Sequence, residues 1–279
     1  MTLRRRLDVE MVRRGLAPSR AAAQELVATG AVLVAGTVAS RPGRLVAAGE
    51  PLAVSADGPR FVSRGGDKLD AALDRFAIDV RGVSGLDAGA STGGFTDCLQ
   101  QRGAARVVAV DVGRGQLHER LRADPRVLSL ERTDVRAVDP ATLPDAPFAV
   151  VVADLAFISL ATVAPALLRL ATPGAHMVLL VKPQFEVGRR AASRGRGVIS
   201  EPSLWAAALR RVAVAMEAGG AAMMGAMVSP RRGAAGNVEF PAHFRAHQGG
   251  AAGAVDLDAV VAGAVAEAVA AASPEAPAW

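Results

Sequence analysis

The chain has 279 residues, a formal net charge of +5 and a hydrophobic fraction of 51%, which suits one large domain or a large domain with a small one. One cysteine, Cys98, excludes an internal disulfide framework and a cysteine-based zinc site, and the four histidines lack metal-ligand spacing, so no metal is expected. The basic balance points to a polyanionic partner.

The N-terminal "MTLRRRLDVE" places Asp8 and Glu10 where a signal peptide needs an apolar stretch. The most apolar run, Phe148 to Leu170, is interrupted by Asp154, Pro165 and Arg169, so no membrane span is expected and the chain reads as cytoplasmic. Residues 1–15 predict a basic amphipathic helix with Leu3, Leu7, Met11 and Val12 on one face. A Pro-Ser signal opens a second helix over 19–29, ended by Gly30, and short strands follow in "AVLVAG", "TVAS" and "LVAAGEPLAV". Residues 1–59 thus form a small module. Arg4, Arg5, Arg6, Arg13, Arg14, Arg20, Arg41 and Arg44 crowd it against Asp8, Glu10 and Glu25. "SADGPR" is a linker by composition, and residues 60–66 join the module to a large domain over 67–279, whose tail from about 273 is loose.

After a turn at Gly65–Gly66, a helix carries Lys68 on its first turn, and strands then alternate with helices. Strands are expected at "GVSGLDAG", "ARVVAVDVG", "RVLSLERTD", "FAVVVADLAF", "HMVLLVKPQFE", "AAMMGAMVSP" and "VEFPAHF". Helices are expected at 94–102, 116–122, 160–171, 201–218 and 256–272. Such alternation predicts an α/β fold with a doubly wound, mostly parallel sheet. His243 and His247 read as a plain surface pair on a helix face.

The stretch "LDAGASTGGFTD" is a glycine-rich turn between a strand and a helix, where backbone can approach a ligand closely. It is neither a Walker P-loop nor Gly-x-Gly-x-x-Gly, which disfavours a nicotinamide oxidoreductase. Asp87, Asp111, Asp134 and Asp154 end four successive strands, and Asp111 is placed for ribose hydroxyls. A carboxylate-rich site without a phosphate grip suits a cationic nucleoside, S-adenosylmethionine, held by these acids with Gly89, Ser91, Thr92, Gly93, Gly94 and Phe95. "DLAF" lacks the pattern of amino-methylating enzymes, and Cys98 falls in the helix after the loop, where it reads as a buried small hydrophobe rather than a nucleophile. A ribose hydroxyl remains as acceptor, a weak acid that needs a base or a cationic neighbour. Of 32 basic residues only Lys68 and Lys182 are lysine, and a lysine kept against such a bias marks chemistry that guanidinium cannot supply. With Asp154 and Glu239, these lysines are the expected catalytic groups.

These segments resemble the TlyA family of bacterial ribosomal-RNA 2′-O-methyltransferases, which also carry the name hemolysin. The N-terminal arginine-rich stretch is similar to that family's S4-type RNA-binding domain. "VSRGGDKL", "LDAGASTGGFTDCL", "VVAVDVGRGQL", "ERTDVR", "VVADLAFISL", "LVKPQFEVG" and "SPRRGAAGNVEF" resemble its methyltransferase motifs in order. The resemblance implies a Rossmann-like, FtsJ-type methyltransferase with a Lys68–Asp154–Lys182–Glu239 tetrad. It implies a cytidine 2′-hydroxyl of 16S or 23S ribosomal RNA as substrate, on an assembled subunit or ribosome; the chain itself is expected to be a monomer. RNA contacts are expected from Arg4, Arg5, Arg6, Arg13, Arg14, Arg20 and Arg41, with Arg64 at the junction. Ala156 and Asp134 depart from the family's usual serine and asparagine, "EFPAHFR" is less apolar than usual, and "RRAASRGRGV" is more basic. The alternative is a non-catalytic RNA-binding assembly factor that keeps the donor pocket. Nothing in the sequence supplies a pore-forming segment.

Overall fold

The structure, a computed structural model, describes residues 4–35, 37–39, 41–55, 60–188, 197–233, 235–247 and 255–272. Leu3, the linker 56–59, the basic loop 189–196 and the tail from 273 lie outside the described residues. The chain divides into two compact units, one running to Arg64 and the other beginning at Gly65.

In the first unit, β1 (Arg4–Arg6) is followed by α1 (Leu7–Arg13), α2 (Arg20–Ala28), β2 (Val32–Val34), β3 (Thr37–Val38), β4 (Leu45–Ala47) and β5 (Leu52–Val54). The continuous helix expected over 1–15 is therefore broken. Arg4–Arg6 pairs antiparallel with Leu45–Ala47, and the Leu7 and Asp8 amides donate to Arg44 and Pro42 carbonyls at 2.7 and 3.0 Å. Partners from elsewhere in the chain thus take donors that sequence periodicity assigns to a longer helix. Leu7 and Met11 face a core with Ala23, Val27, Val32, Val34 and Val46, whereas Val12 lies on the exposed side. Ser19 caps α2, its hydroxyl accepting from the Ala22 amide at 3.1 Å.

The second unit runs α3 (Gly65–Arg75), β6 (Ser84–Ala88), α4 (Gly94–Gln101), β7 (Arg106–Val110), α5 (Glu119–Arg122), β8 (Val127–Leu130), β9 (Phe148–Ala153) and α6 (Leu160–Arg169). It continues through β10 (Ala171–Val181), α7 (Pro183–Glu186), α8 (Pro202–Ala218), β11 (Ala221–Ala226), β12 (Phe240–Ala246) and α9 (Leu257–Ala272). Gly65 and Gly66, expected as a turn, are the first residues of α3. The strand expected through "KPQFE" ends at Val181, because Pro183 offers no N–H to a ladder and opens the short α7 instead.

Seven strands form one sheet in the order β11-β12-β10-β9-β6-β7-β8. β8, β7, β6, β9 and β10 are mutually parallel, and β12 runs antiparallel between β10 and β11. Chain order reverses between the neighbours β6 and β9, so a crevice opens beyond their carboxyl ends, where doubly wound sheets hold ligands. β9 is apolar and buried on nearly every residue, as a strand covered on both faces must be.

On β12 the fold overturns one sequence expectation. His243 is buried in the sheet rather than on a surface helix, with its Nε2 3.0 Å from Nδ1 of His176. Arg245 contacts His176 Nε2 and can only donate. His176 Nε2 therefore accepts, its Nδ1–H donates to His243 Nε2, and His243 carries its proton on Nδ1. Burial, with the neighbouring imidazole and Arg245, pushes His243 down to about 4.

Candidate active site

β6 delivers the chain into the glycine loop at the crevice. Gly89 has φ +84°, and a Cβ there would lie 2.7 Å from the Asp154 carbonyl oxygen, so the loop rests on the end of β9 as only glycine allows. Gly93, at φ +97°, is backed by Leu117 and Leu121, which fill the space of a Cβ. Ser91 also takes a positive φ, of 48°. Gly94 and Phe95 begin α4 and are buried. The Thr92 carbonyl accepts from the His118 amide at 3.1 Å, tying the loop to the segment before α5.

Three carboxylates gather here. Asp87 is fully buried; its Oδ2 accepts from Thr96 Oγ1 at 2.6 Å and its Oδ1 has no hydrogen-bond partner among the described residues. Burial drives its carboxyl up to about 7, and the nearby charges of Asp154 and Asp111 push in the same direction. Asp111 accepts from the Ser91 and Gly113 amides at 2.8 and 2.6 Å. Ser91, Asp111, Gly113, Gln116 and Glu131 line a pocket beside it. Gln116 and Glu131 escape sequence reasoning: Ser91 Oγ donates to Gln116 Oε1 at 3.1 Å, and Glu131 accepts from the Gly115 amide at 2.8 Å. Asp134 is placed differently from the other strand-end acids. Its carboxylate accepts from Arg136 Nε and Nη2 at 3.0 and 2.5 Å, which holds it below the usual carboxylate range.

The two lysines and their acids meet at the same edge of the sheet. Lys182 and Glu239 flank the paired residues Val181 and Phe240 on neighbouring strands, and Asp154 follows Ala153, which pairs with Leu179. Lys68 Nζ donates to Glu239 Oε2 at 2.5 Å, both groups being buried. Lys182 Nζ stands 2.5 Å from Asp154 Oδ1 as an ion pair without hydrogen-bond alignment. Gly233 packs directly on the Glu239 carboxylate, which a Cβ at that position would have to displace.

The loops after β9 and β10 carry two aromatic residues that the sequence reading did not single out. Phe157 has φ +66° and is 92% exposed, an uncommon state for a bulky residue, and its ring centroid lies 5.6 Å from that of Phe185. Behind them Glu186, only 2% exposed, accepts from Ser159 Oγ at 2.5 Å and from the Leu160 amide at 2.7 Å.

In the N-terminal unit, two buried acids organise the expected RNA-contacting arginines. Asp8 accepts from Arg6, Arg20 and Gln24 at 3.0, 3.0 and 2.8 Å. Glu10 accepts from Arg13 and Arg14 at 2.6 and 2.8 Å and lies 3.9 Å from Arg5. Arg14 also donates to the Glu50, Ala47 and Ala48 carbonyls, which commits its guanidinium to the fold. Arg4 is exposed on β1, Arg41 is exposed before β4, and Arg64 is half-buried.

Among the described residues no helix is long and apolar enough to cross a membrane, and no group of three metal-binding side chains forms. Residues 61–245 match the FtsJ-like methyltransferase family, and residues 5–52 match the S4 domain. The chain is 47% identical over 268 residues to the 16S/23S rRNA (cytidine-2′-O)-methyltransferase TlyA of Mycobacterium tuberculosis, covering 96% of this chain and 99% of that one. It is 36% identical to Hemolysin A of Brachyspira hyodysenteriae, covering 86% of this chain and 99% of that one. A solved structure that bears the name hemolysin, from Streptococcus thermophilus, superposes with a TM-score of 0.73 at 36% identity, over 96% of this chain and 98% of that one.

Proposed function

From the premise that this chain belongs to the FtsJ-like methyltransferase family and carries an S4 domain ahead of it, we propose that it methylates the ribose 2′-hydroxyl of a cytidine in 16S or 23S ribosomal RNA. The observation that carries this reading is the pair of lysine–carboxylate contacts, Lys68–Glu239 and Lys182–Asp154, on one edge of the sheet beside the glycine loop. A hydroxyl acceptor needs that combination: a group to receive its proton, and fixed charges to hold the receiver in place.

The donor in this reading is S-adenosylmethionine, and the cleft fits it. Asp111 and Asp154 bring negative charge, and Asp87, raised by burial and by those two, keeps one buried oxygen without a hydrogen-bond partner, as a cationic ligand that restores its charge favours. Asp111 and the Ser91–Gln116 wall would hold its nucleoside, and the loop from Gly89 to Gly93 lets backbone approach it. When bound, S-adenosylmethionine supplies a methyl group on a positively charged sulfur. Lys182 Nζ, oriented by Asp154, first gives up one proton to solvent and then receives the proton of the 2′-hydroxyl as the oxygen attacks. Lys68 and Glu239 fix the other side of the ribose position, so that catalysis is mainly placement of nucleophile and donor.

The S4 unit supplies affinity for RNA through its arginines, and ribosomal subunits are the partner on this reading. A cytoplasmic location follows from that substrate. The test is to incubate the protein and methyl donor with unmodified ribosomal subunits and map 2′-O-methyl sites. New methylation at a cytidine supports the proposal, whereas binding to subunits with no methyl incorporation would leave an RNA-binding assembly factor.

A further inference from the structure

Two contacts join the loop after β9 to α7, the short helix after β10. The outer one is the tilted pair Phe157–Phe185. The inner one is Glu186, whose carboxylate takes both the Ser159 hydroxyl and the Leu160 amide. Ser159 is the N-cap residue of α6, yet its hydroxyl caps no amide of its own helix. A serine at that position ordinarily accepts from an amide of the first turn, at no cost in buried charge. Here that duty passes to a carboxylate 27 residues away in the chain and 2% exposed, with Arg211 3.9 Å off as its ion-pair partner. Burying a carboxylate this way is expensive, and a helix cap alone does not require it. The arrangement does join the loop that presents Asp154 to the loop that presents Lys182.

We propose that Glu186 is a positioning residue for methyl transfer: by holding the start of α6 against α7, it sets the register between Asp154 and Lys182 without touching substrate. The proposal rests on the tetrad reading given above. Opposed charges on two separate loops, already short of hydrogen-bond alignment, depend on whatever fixes those loops together. A displacement of about 1 Å in such a pair costs about a hundredfold in rate.

The test compares Glu186→Ala, Glu186→Gln and Ser159→Ala with the unaltered full chain, by single-turnover methylation of ribosomal subunits, donor affinity and thermal unfolding. Glu186→Ala is expected to lower turnover 10- to 100-fold, with KM for subunits and Kd for donor changed less than threefold. Glu186→Gln should recover most of the loss, since its oxygen can accept from the Leu160 amide and its NH2 can donate to Ser159 Oγ. Ser159→Ala should lose three- to tenfold while the buried carboxylate stays in place, which keeps the test open if Glu186→Ala does not fold. Turnover per folded molecule that is unchanged in Glu186→Ala, or no better in Glu186→Gln than in Glu186→Ala, overturns the positioning role. In a foldless Glu186→Ala, unchanged turnover of Ser159→Ala does the same. Lys182→Ala, run alongside, separates the two ideas. If it retains turnover the tetrad reading fails, and if it alone is inactive only the role of Glu186 fails.

Discussion

Lys182 and Asp154 approach within 2.5 Å from the ends of adjacent parallel strands, yet their geometry is that of an ion pair and not of an aligned hydrogen bond. A lysine ion-paired to one carboxylate keeps other N–H directions for a substrate hydroxyl, which suits a group that must meet one. Lys182→Ala is expected to lower turnover by about 10² or more with little change in donor affinity. Lys182→Arg should fail as well, since guanidinium keeps the charge but cannot accept a proton near neutral pH. Near-normal single-turnover rates in the arginine variant would reduce Lys182 to an electrostatic role.

Asp8 offers a prediction opposed to simple charge counting. Asp8→Asn makes the chain more basic, but it releases Arg6 and Arg20 from the buried carboxylate that orients them. Ordered guanidinium groups lose less freedom on meeting phosphates. Affinity for ribosomal RNA at fixed salt should fall about three- to tenfold, measured by filter binding on protein checked for native circular dichroism. Tighter binding by the asparagine variant would show that net charge, not orientation, governs the S4 surface.

The Asp87 carboxyl, ordinarily near 3.8, titrates near 7 in the fold. The folded chain therefore holds this proton more firmly than the unfolded chain. The stability that results is complete below about pH 4 and is lost as pH rises to 7. Asp87→Asn cannot titrate, so it should match the parent near pH 4 and exceed it above pH 7 by about 1–3 kcal/mol. Denaturant melts across that range check this, and a difference independent of pH would contradict it.

His243 has the opposite sign. Its imidazole is held down to about 4 from an ordinary 6.5, so stability is full above pH 6.5 and declines as pH falls towards 4. His176, also lowered by burial, adds to the decline. His243→Gln should lose less stability than the parent over that interval, even if it is weaker at pH 8. Parallel pH profiles for the two proteins would mean that the histidine pair does not control acid sensitivity.

Much of the site was legible because its signals are local or compositional. The glycine run and the acids at strand ends mark a ligand crevice in any doubly wound sheet, and Lys68 and Lys182 stand out against thirty arginines. What escaped depends on contacts between distant segments. Arg4–Arg6 reads as helix until Leu45–Ala47 is beside it. His243 reads as surface until β10 and β11 close around β12. Asp134 is the exception, since its partner Arg136 stands only two residues on, and the local Asp-x-Arg spacing could have marked it. Glu186 lies within the motif "LVKPQFEVG", but nothing local gives it a role, because its partners lie on another strand's loop.

The place of β12 in the sheet bears on how the molecule is made. Among the described strands this one is the last in chain order, yet it lies between two made earlier, β10 and β11. Until residues 240–246 emerge from translation, those two strands border an open slot with unpaired edges, the kind of surface that recruits foreign strands. Lys68 waits just as long, since its carboxylate partner Glu239 arrives 171 residues later, beside that strand. Such distant closure makes for slow folding. A nascent chain can thus assemble its glycine loop and its arginine-bearing N-terminal unit well before it is an enzyme, and chemistry begins only when the final strand slides home.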